Sequence, residues 1–121
     1  DNDTLLVIAR PSGPTCHLDR SSCFAEAPSN FLAELDAFIQ DRDRDRPKGS
    51  YTTDLFNRGT KGIAQKVGEE GVEAALAAVV EDDEALLGEA ADLLYHLTVL
   101  LRSRGLPLSE AVRVLEERHR P

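Results

Sequence analysis

A chain of 121 residues with 14 Lys and Arg against 22 Asp and Glu carries a net charge of −8, which argues against a nonspecific grip on nucleic-acid phosphates. Charged residues make up 30% and aromatic residues 5% of the chain, a balance that suits one helical domain with an aliphatic core. No apolar run approaches the ~18 residues of a membrane span, the first residues show no basic-then-apolar pattern, and two cysteines are too few for a disulfide scaffold, so a cytoplasmic setting is expected.

Residues 4–10, TLLVIAR, read as a short strand, followed at 11–23 by loop chemistry, PSGPTCHLDRSSC. Ser29 is placed to cap a helix that carries Phe31, Leu32, Leu35, Phe38 and Ile39 at three- and four-residue spacing. The alternation DRDRDRPKGS at 41–50 reads as an exposed linker that divides an N-terminal appendage from the helical body. Ser50 caps a short helix that stops near Gly59, and a longer helix runs from Gly62 to about Val80. EDDE at 81–84 makes a tight acidic turn whose carboxylates suit the first turn of the next helix. That helix reaches Arg104 and stops at Gly105, ahead of Pro107, and Ser109 opens a last short helix. The expected fold is all-α, an antiparallel helical bundle completed by dimerisation, with a short strand and loop at the N-terminus.

Two stretches place acids where a core is expected. At ~100° per residue, Glu70 falls among the directions of Ile63, Val67, Ala74 and Ala77, with Glu73 about 60° round. On the following helix Glu89, Asp92 and His96 form a polar stripe bordering Leu86, Leu93 and Leu100. Neither acidic pair is expected on a solvent face. The short turn makes the two helices antiparallel; counted from it, Glu73 is level with Asp92, and Glu70 with Tyr95 and His96. All four carboxylates are therefore expected to converge. Four anions in a partly dry place repel and desolvate at a cost of several kcal/mol each, and a divalent cation relieves both. All-oxygen donors point to Mg²⁺ or Mn²⁺ rather than Zn²⁺, and Mg²⁺ commonly also binds substrate phosphates. The competing reading is a set of solvated acids with Lys66 or Arg102 as partners. His96, a lone histidine within one helix, is read as a packing residue.

The strings EEGVE and EAAD resemble the ExxE…ExxD signature of the all-α nucleotide pyrophosphohydrolases. Over about residues 29–119 the longer string SYTTDLFNRGTKGIAQKVGEEGVEAALAAV…EAADLLYHLTVLLRSRGLPLSEAVRVLEERH resembles the phosphoribosyl-ATP pyrophosphatases of histidine biosynthesis. The resemblance implies Mg²⁺-dependent hydrolysis of phosphoribosyl-ATP to phosphoribosyl-AMP and pyrophosphate by a homodimer. It makes Glu70, Glu73, Glu89 and Asp92 the metal ligands and leaves Glu69 as either a further ligand or a base for water. Lys61, Lys66 and Arg58 are read as phosphate contacts, Lys66 against the plain alternative of a surface lysine. Gly68 and Gly71, mid-helix at up to ~1 kcal/mol each, suggest close helix approach, room for substrate, or tolerance. Tyr51, Thr52 and Tyr95 are candidates for ligand contact or for buried, hydrogen-bonded hydroxyls. A house-cleaning nucleoside triphosphate pyrophosphohydrolase and a non-enzymatic dimerisation module are the alternative functions.

DNDTLLVIARPSGPTCHLDRSSCF at 1–24 instead resembles the tail of the phosphoribosyl-AMP cyclohydrolases, which carries an acidic run and then GPxCH…SCF. That resemblance makes Asp1 and Asp3 magnesium positions and Cys16 and Cys23 zinc positions. An earlier aspartate and an earlier cysteine of the pattern are not in the chain. Residues 1–27 are thus expected to be a truncated cyclohydrolase tail and 28–121 the pyrophosphatase domain, together a piece of a bifunctional protein. Two thiolates, even with His17, fall short of a confident three-ligand catalytic zinc site. Zn²⁺ and the cyclohydrolase reaction are expected of the intact domain only.

Overall fold

Charge alternation at 41–45 does not end a helix. In the computed structural model, which describes residues 31–120, α1 runs Phe31–Asp45 and takes in half of the expected linker. Arg44 pairs with Asp41 one turn back at 3.1 Å, and the basic residues Arg42 and Arg44 complement the negative C-terminal end of the helix dipole. The stop comes at Arg46, whose φ of 45° leaves the helical region directly before Pro47. Its guanidinium lies over the Phe56 ring at 4.9 Å and donates to Asn57 Oδ1 at 3.0 Å. The corner is thereby fastened to the next helix, and α1 belongs to the helical body. Of its five expected apolar positions, Ile39 is fully buried and Leu35 packs beside it, while Phe31, Leu32 and Phe38 are exposed.

Four more helices follow among the described residues: α2 Tyr51–Asn57, α3 Gly59–Val80, α4 Asp83–Ser103 and α5 Leu108–His119. Ser50 caps α2 as expected, its side chain accepting from the Thr53 N–H. Gly59 takes a φ of 73°, a left-handed turn that glycine makes at little cost, and α3 starts there rather than at Gly62. Gly62 has its own constraint: a Cβ built on it would stand 2.7 Å from Arg58 Cβ. Asp82 caps α4 by accepting from the Ala85 N–H at 2.9 Å, and Asp83 and Glu84 fill its first turn. At the far end Leu106 N–H bonds Leu101 O and Gly105 N–H bonds Arg102 O, a Schellman stop with Gly105 at φ 70°.

Ser109 does not cap α5. The helix begins behind Pro107, and the carboxylate of Asp36 on α1 accepts the Leu108 N–H at 3.2 Å. The same carboxylate receives two hydrogen bonds of 2.6 Å from the Arg102 guanidinium on α4. One buried acid therefore joins α1, α4 and α5.

The fold is all-α. α3 and α4, linked across residues 81–82, lie side by side as a hairpin. The core gathers Ile39, Leu55, Phe56, Ile63 and Val99, with Leu35, Tyr95 and Leu100 against it. Farther along the hairpin little is covered: Val72, Leu76, Val79, Val80 and Leu87 are all more than half exposed. No described helix is long and apolar enough to cross a membrane. The expected strand at 4–10, the Ser29 cap and the positions Asp1, Asp3, Cys16, His17 and Cys23 lie outside the described residues.

Candidate functional site

Seven-residue spacing puts Ile63, Glu70 and Ala77 on one line of α3, and these are its buried residues. Glu70 is thus an acid in the middle of an apolar seam, 4% exposed. Glu73, one turn on, is exposed, and Glu89 on α4 is half-buried. Each of these three offers a carboxylate oxygen within 4.8 Å of the other two. The expectation that the acids of both helices converge holds for Glu70, Glu73 and Glu89.

Asp92 departs from it. Its side chain is exposed and is not part of that three-residue group. It lies about 60° round the helix from Glu89 on the side away from the leucines, with one methylene fewer to reach back. Its negative charge still acts on Glu89. Glu73 and Asp92 thus both face solvent, against the reading that kept both acidic pairs inside.

Electrostatics follow from this layout. Lys66 Nζ donates to Glu70 Oε1 at 2.6 Å and lies 3.3 Å from Glu69 Oε2. The bond from Lys66 holds the Glu70 carboxyl below the ordinary range, against the penalty of burial. The same bond holds the ammonium above its own range. Glu69 is exposed and also accepts from Gln65 Nε2 at 3.0 Å, and its carboxyl is lowered by Gln65 first and by Lys66 next. Glu89 goes the other way: loss of solvent, then the charges of Glu73 and Glu70, push its carboxyl up. Glu89 thus resists ionisation first because it has lost solvent and then because Glu73 and Glu70 stand beside it, and the Lys66 ammonium, spent on Glu70, does not offset this.

His96 is buried and doubly bonded. Its Nδ1 donates to the Asp92 carbonyl at 2.8 Å. In the neutral ring that leaves Nε2, 2.9 Å from the Tyr51 hydroxyl, to accept from it. Nδ1 also stands 3.7 Å from Glu70 Oε1. The packing role expected of His96 fits these bonds, but its place beside Glu70 and its bond to Tyr51 are not visible on a wheel of one helix. Thr52 Oγ1 and the Tyr95 hydroxyl, 2.7 Å apart, form a parallel link between α2 and α4. Tyr51 and Tyr95 stack with ring centres 6.3 Å apart. Tyr51 remains half exposed, whereas Thr52 is buried.

The remaining candidates lie nearer the start of α3. Arg58 and Lys61 are exposed, and Arg58 is close enough to help lower the Glu69 carboxyl. Lys61 is nine residues from Glu70, about 13 Å along the helix axis. A Cβ on Gly68 or Gly71 would meet nothing within 4 Å. Close helix approach therefore does not explain these glycines, and open space lies beside them. Asp36 was missed, because its wheel position gives a weaker signal than that of Glu70. Leu32 and Ile39 fall about 40° and 60° from it on one side of the α1 wheel, so it borders the apolar face and is not enclosed by it as Glu70 is.

A donor set of carboxylates alone, three within one coordination sphere's reach, fits a hard dication such as Mg²⁺ or Mn²⁺. Residues 32–119 match the model of the phosphoribosyl-ATP pyrophosphohydrolase family. The chain is also similar to proteins named histidine biosynthesis bifunctional protein HisIE. It is 68% identical to that of Xanthomonas axonopodis pv. citri, over 98% of this chain and 58% of the relative. It is 55% identical to that of Yersinia pestis, over 98% and 59%, and 53% identical to that of Escherichia coli K12, over 98% and 60%. The chain spans somewhat more than half the length of these relatives.

Proposed function

Because the chain belongs to the phosphoribosyl-ATP pyrophosphohydrolase family, we propose that it hydrolyses phosphoribosyl-ATP to phosphoribosyl-AMP and pyrophosphate in histidine biosynthesis. The observation that carries this reading is the carboxylate trio, Glu70, Glu73 and Glu89, drawn from two helices into one 4.8 Å group. These three would hold Mg²⁺, or Mn²⁺ in its place, and Asp92, exposed one turn from Glu89 on α4, would be the further acid available to it. A bound dication supplies charge neutralisation for the triphosphate and a more acidic water. The chain's own residues do the rest. Lys66, Lys61 and Arg58 bind phosphate oxygens, and Glu69, exposed beside the trio, takes the proton of the attacking water. Water adds to the α-phosphorus, the α–β anhydride bond breaks, and the bond's electrons leave on pyrophosphate.

The functional unit is proposed to be a homodimer in the cytoplasm, because the apolar stripe from Val72 to Leu87 needs a cover that a second copy provides. Cyclohydrolase activity is proposed only for a longer bifunctional protein that contains that whole domain, where Asp1, Asp3, Cys16 and Cys23 would be among its Mg²⁺ and Zn²⁺ positions.

The test is release of pyrophosphate from phosphoribosyl-ATP with Mg²⁺ and with EDTA. Release in Mg²⁺, none in EDTA, and a loss of about a hundredfold or more in Glu70→Gln without unfolding are expected. Turnover of deoxynucleoside triphosphates but not of phosphoribosyl-ATP would move the chain to the house-cleaning class. No turnover, with thermal stability indifferent to Mg²⁺, would leave a dimerisation module.

A further inference from the structure

The acidic cluster carries a cation of its own. Lys66 sits one turn before Glu70 on α3, so its reach to Glu70 needs no help from another helix. Its Nζ is 2.6 Å from Glu70 Oε1 and 3.3 Å from Glu69 Oε2. The Lys66 side chain is 23% exposed and that of Glu70 only 5%, so little water screens the pair. Three carboxylates within 4.8 Å repel one another, and the ammonium against the most buried one offsets part of that repulsion. A dication held by the same three acids would set two more positive charges beside the ammonium. Glu70 cannot satisfy both at full strength. Glu69, exposed and already within reach of Nζ, offers the lysine a place to stay near the site once it lets go.

We propose that Lys66 is the resident counter-ion of the carboxylate cluster, exchanged for a divalent cation when one binds, and that this exchange frees its ammonium for a substrate phosphate. The inference rests on the reading of the cluster as a dication site and adds an order to it. Cation binding comes first, and only then does the lysine become available to an anion. Without a dication the Lys66 ammonium stays bound to Glu70, and a phosphate gains it only once the metal has taken its place.

The test measures Mn²⁺ affinity of the full chain at low salt, by the paramagnetic resonance of free Mn²⁺, in the native protein, Lys66→Gln and Lys66→Arg. Lys66→Gln should bind Mn²⁺ several-fold more tightly than the native chain, and Lys66→Arg no more tightly. A second readout needs no variant: amine acetylation of the native chain, followed peptide by peptide by mass spectrometry. Mn²⁺ should speed labelling of Lys66 several-fold and leave Lys61 unchanged. Equal or weaker Mn²⁺ binding by Lys66→Gln overturns the exchange, as does Lys66 labelling that Mn²⁺ leaves unchanged or slows. A native chain that takes up no Mn²⁺ overturns the metal-site reading itself, and the exchange with it.

Discussion

Glu70 and Glu89 respond to the same surroundings in opposite directions. The Glu70 carboxyl is lowered by the hydrogen bond from Lys66, so it contributes stability above the ordinary carboxylate range, lost as pH falls through its depressed folded value. Glu89 is raised by lost solvent and then by Glu73 and Glu70. Its contribution is present below the ordinary range, near pH 4, and is lost as pH rises through its raised folded value. In EDTA, Glu89→Gln is therefore expected to melt above the parent protein at pH 7, the gap closing toward pH 4. Glu70→Gln should melt below the parent at pH 7, and that gap should close only at more acid pH. Thermal melts from pH 3 to 8 check both, and a pH-independent gap for either variant would contradict the assignment. The placement of Glu70 was legible because seven-residue spacing alone puts it in line with Ile63 and Ala77. Asp92 was misplaced because a wheel fixes a direction but not a side chain's reach.

Helix ends decide the shape of each element, and most of them were readable. Ser50, Asp82 and Gly105 perform the capping roles their residue types suggest. α1 and α5 were harder. The Asp-Arg alternation stays helical because its charges pair a turn apart, and α5 takes its cap from Asp36 on another helix, a partner that no local pattern reveals. The glycines of α3 separate in the same way. Gly62 is pressed by Arg58 at the α2–α3 elbow, whereas Gly68 faces open space. Gly62→Ala should destabilise the protein by about 1–3 kcal/mol, and Gly68→Ala should stabilise it by up to ~1 kcal/mol. Denaturant unfolding of the pair measures both. Equal effects would mean that helix propensity, not the elbow, governs the two positions.

At the scale of the whole molecule, the apolar residues divide into a covered set and an uncovered one. Val72, Leu76, Val79, Val80 and Leu87 are exposed on the two helices of the hairpin, and the proposed homodimer would bury them. For the proposed homodimer, Leu87→Glu, at a position 70% exposed, should leave the chain folded and shift it from dimer to monomer in sedimentation equilibrium. A dimer unaffected by that charge would place the interface elsewhere. All-α architecture was legible from periodicity, but the unequal lining of the hairpin was not, because a wheel cannot tell which neighbours arrive. That inequality sets where the fold loosens. Beyond Glu70, α3 fully buries Ala77 alone, and α4 fully buries nothing before His96. An isolated protomer therefore unzips from the 81–82 bend inward, as an unpinned clothes-peg opens from its free ends. Glu73 and Glu89, on opposite arms just short of that bend, are where one rivet would clamp the peg shut.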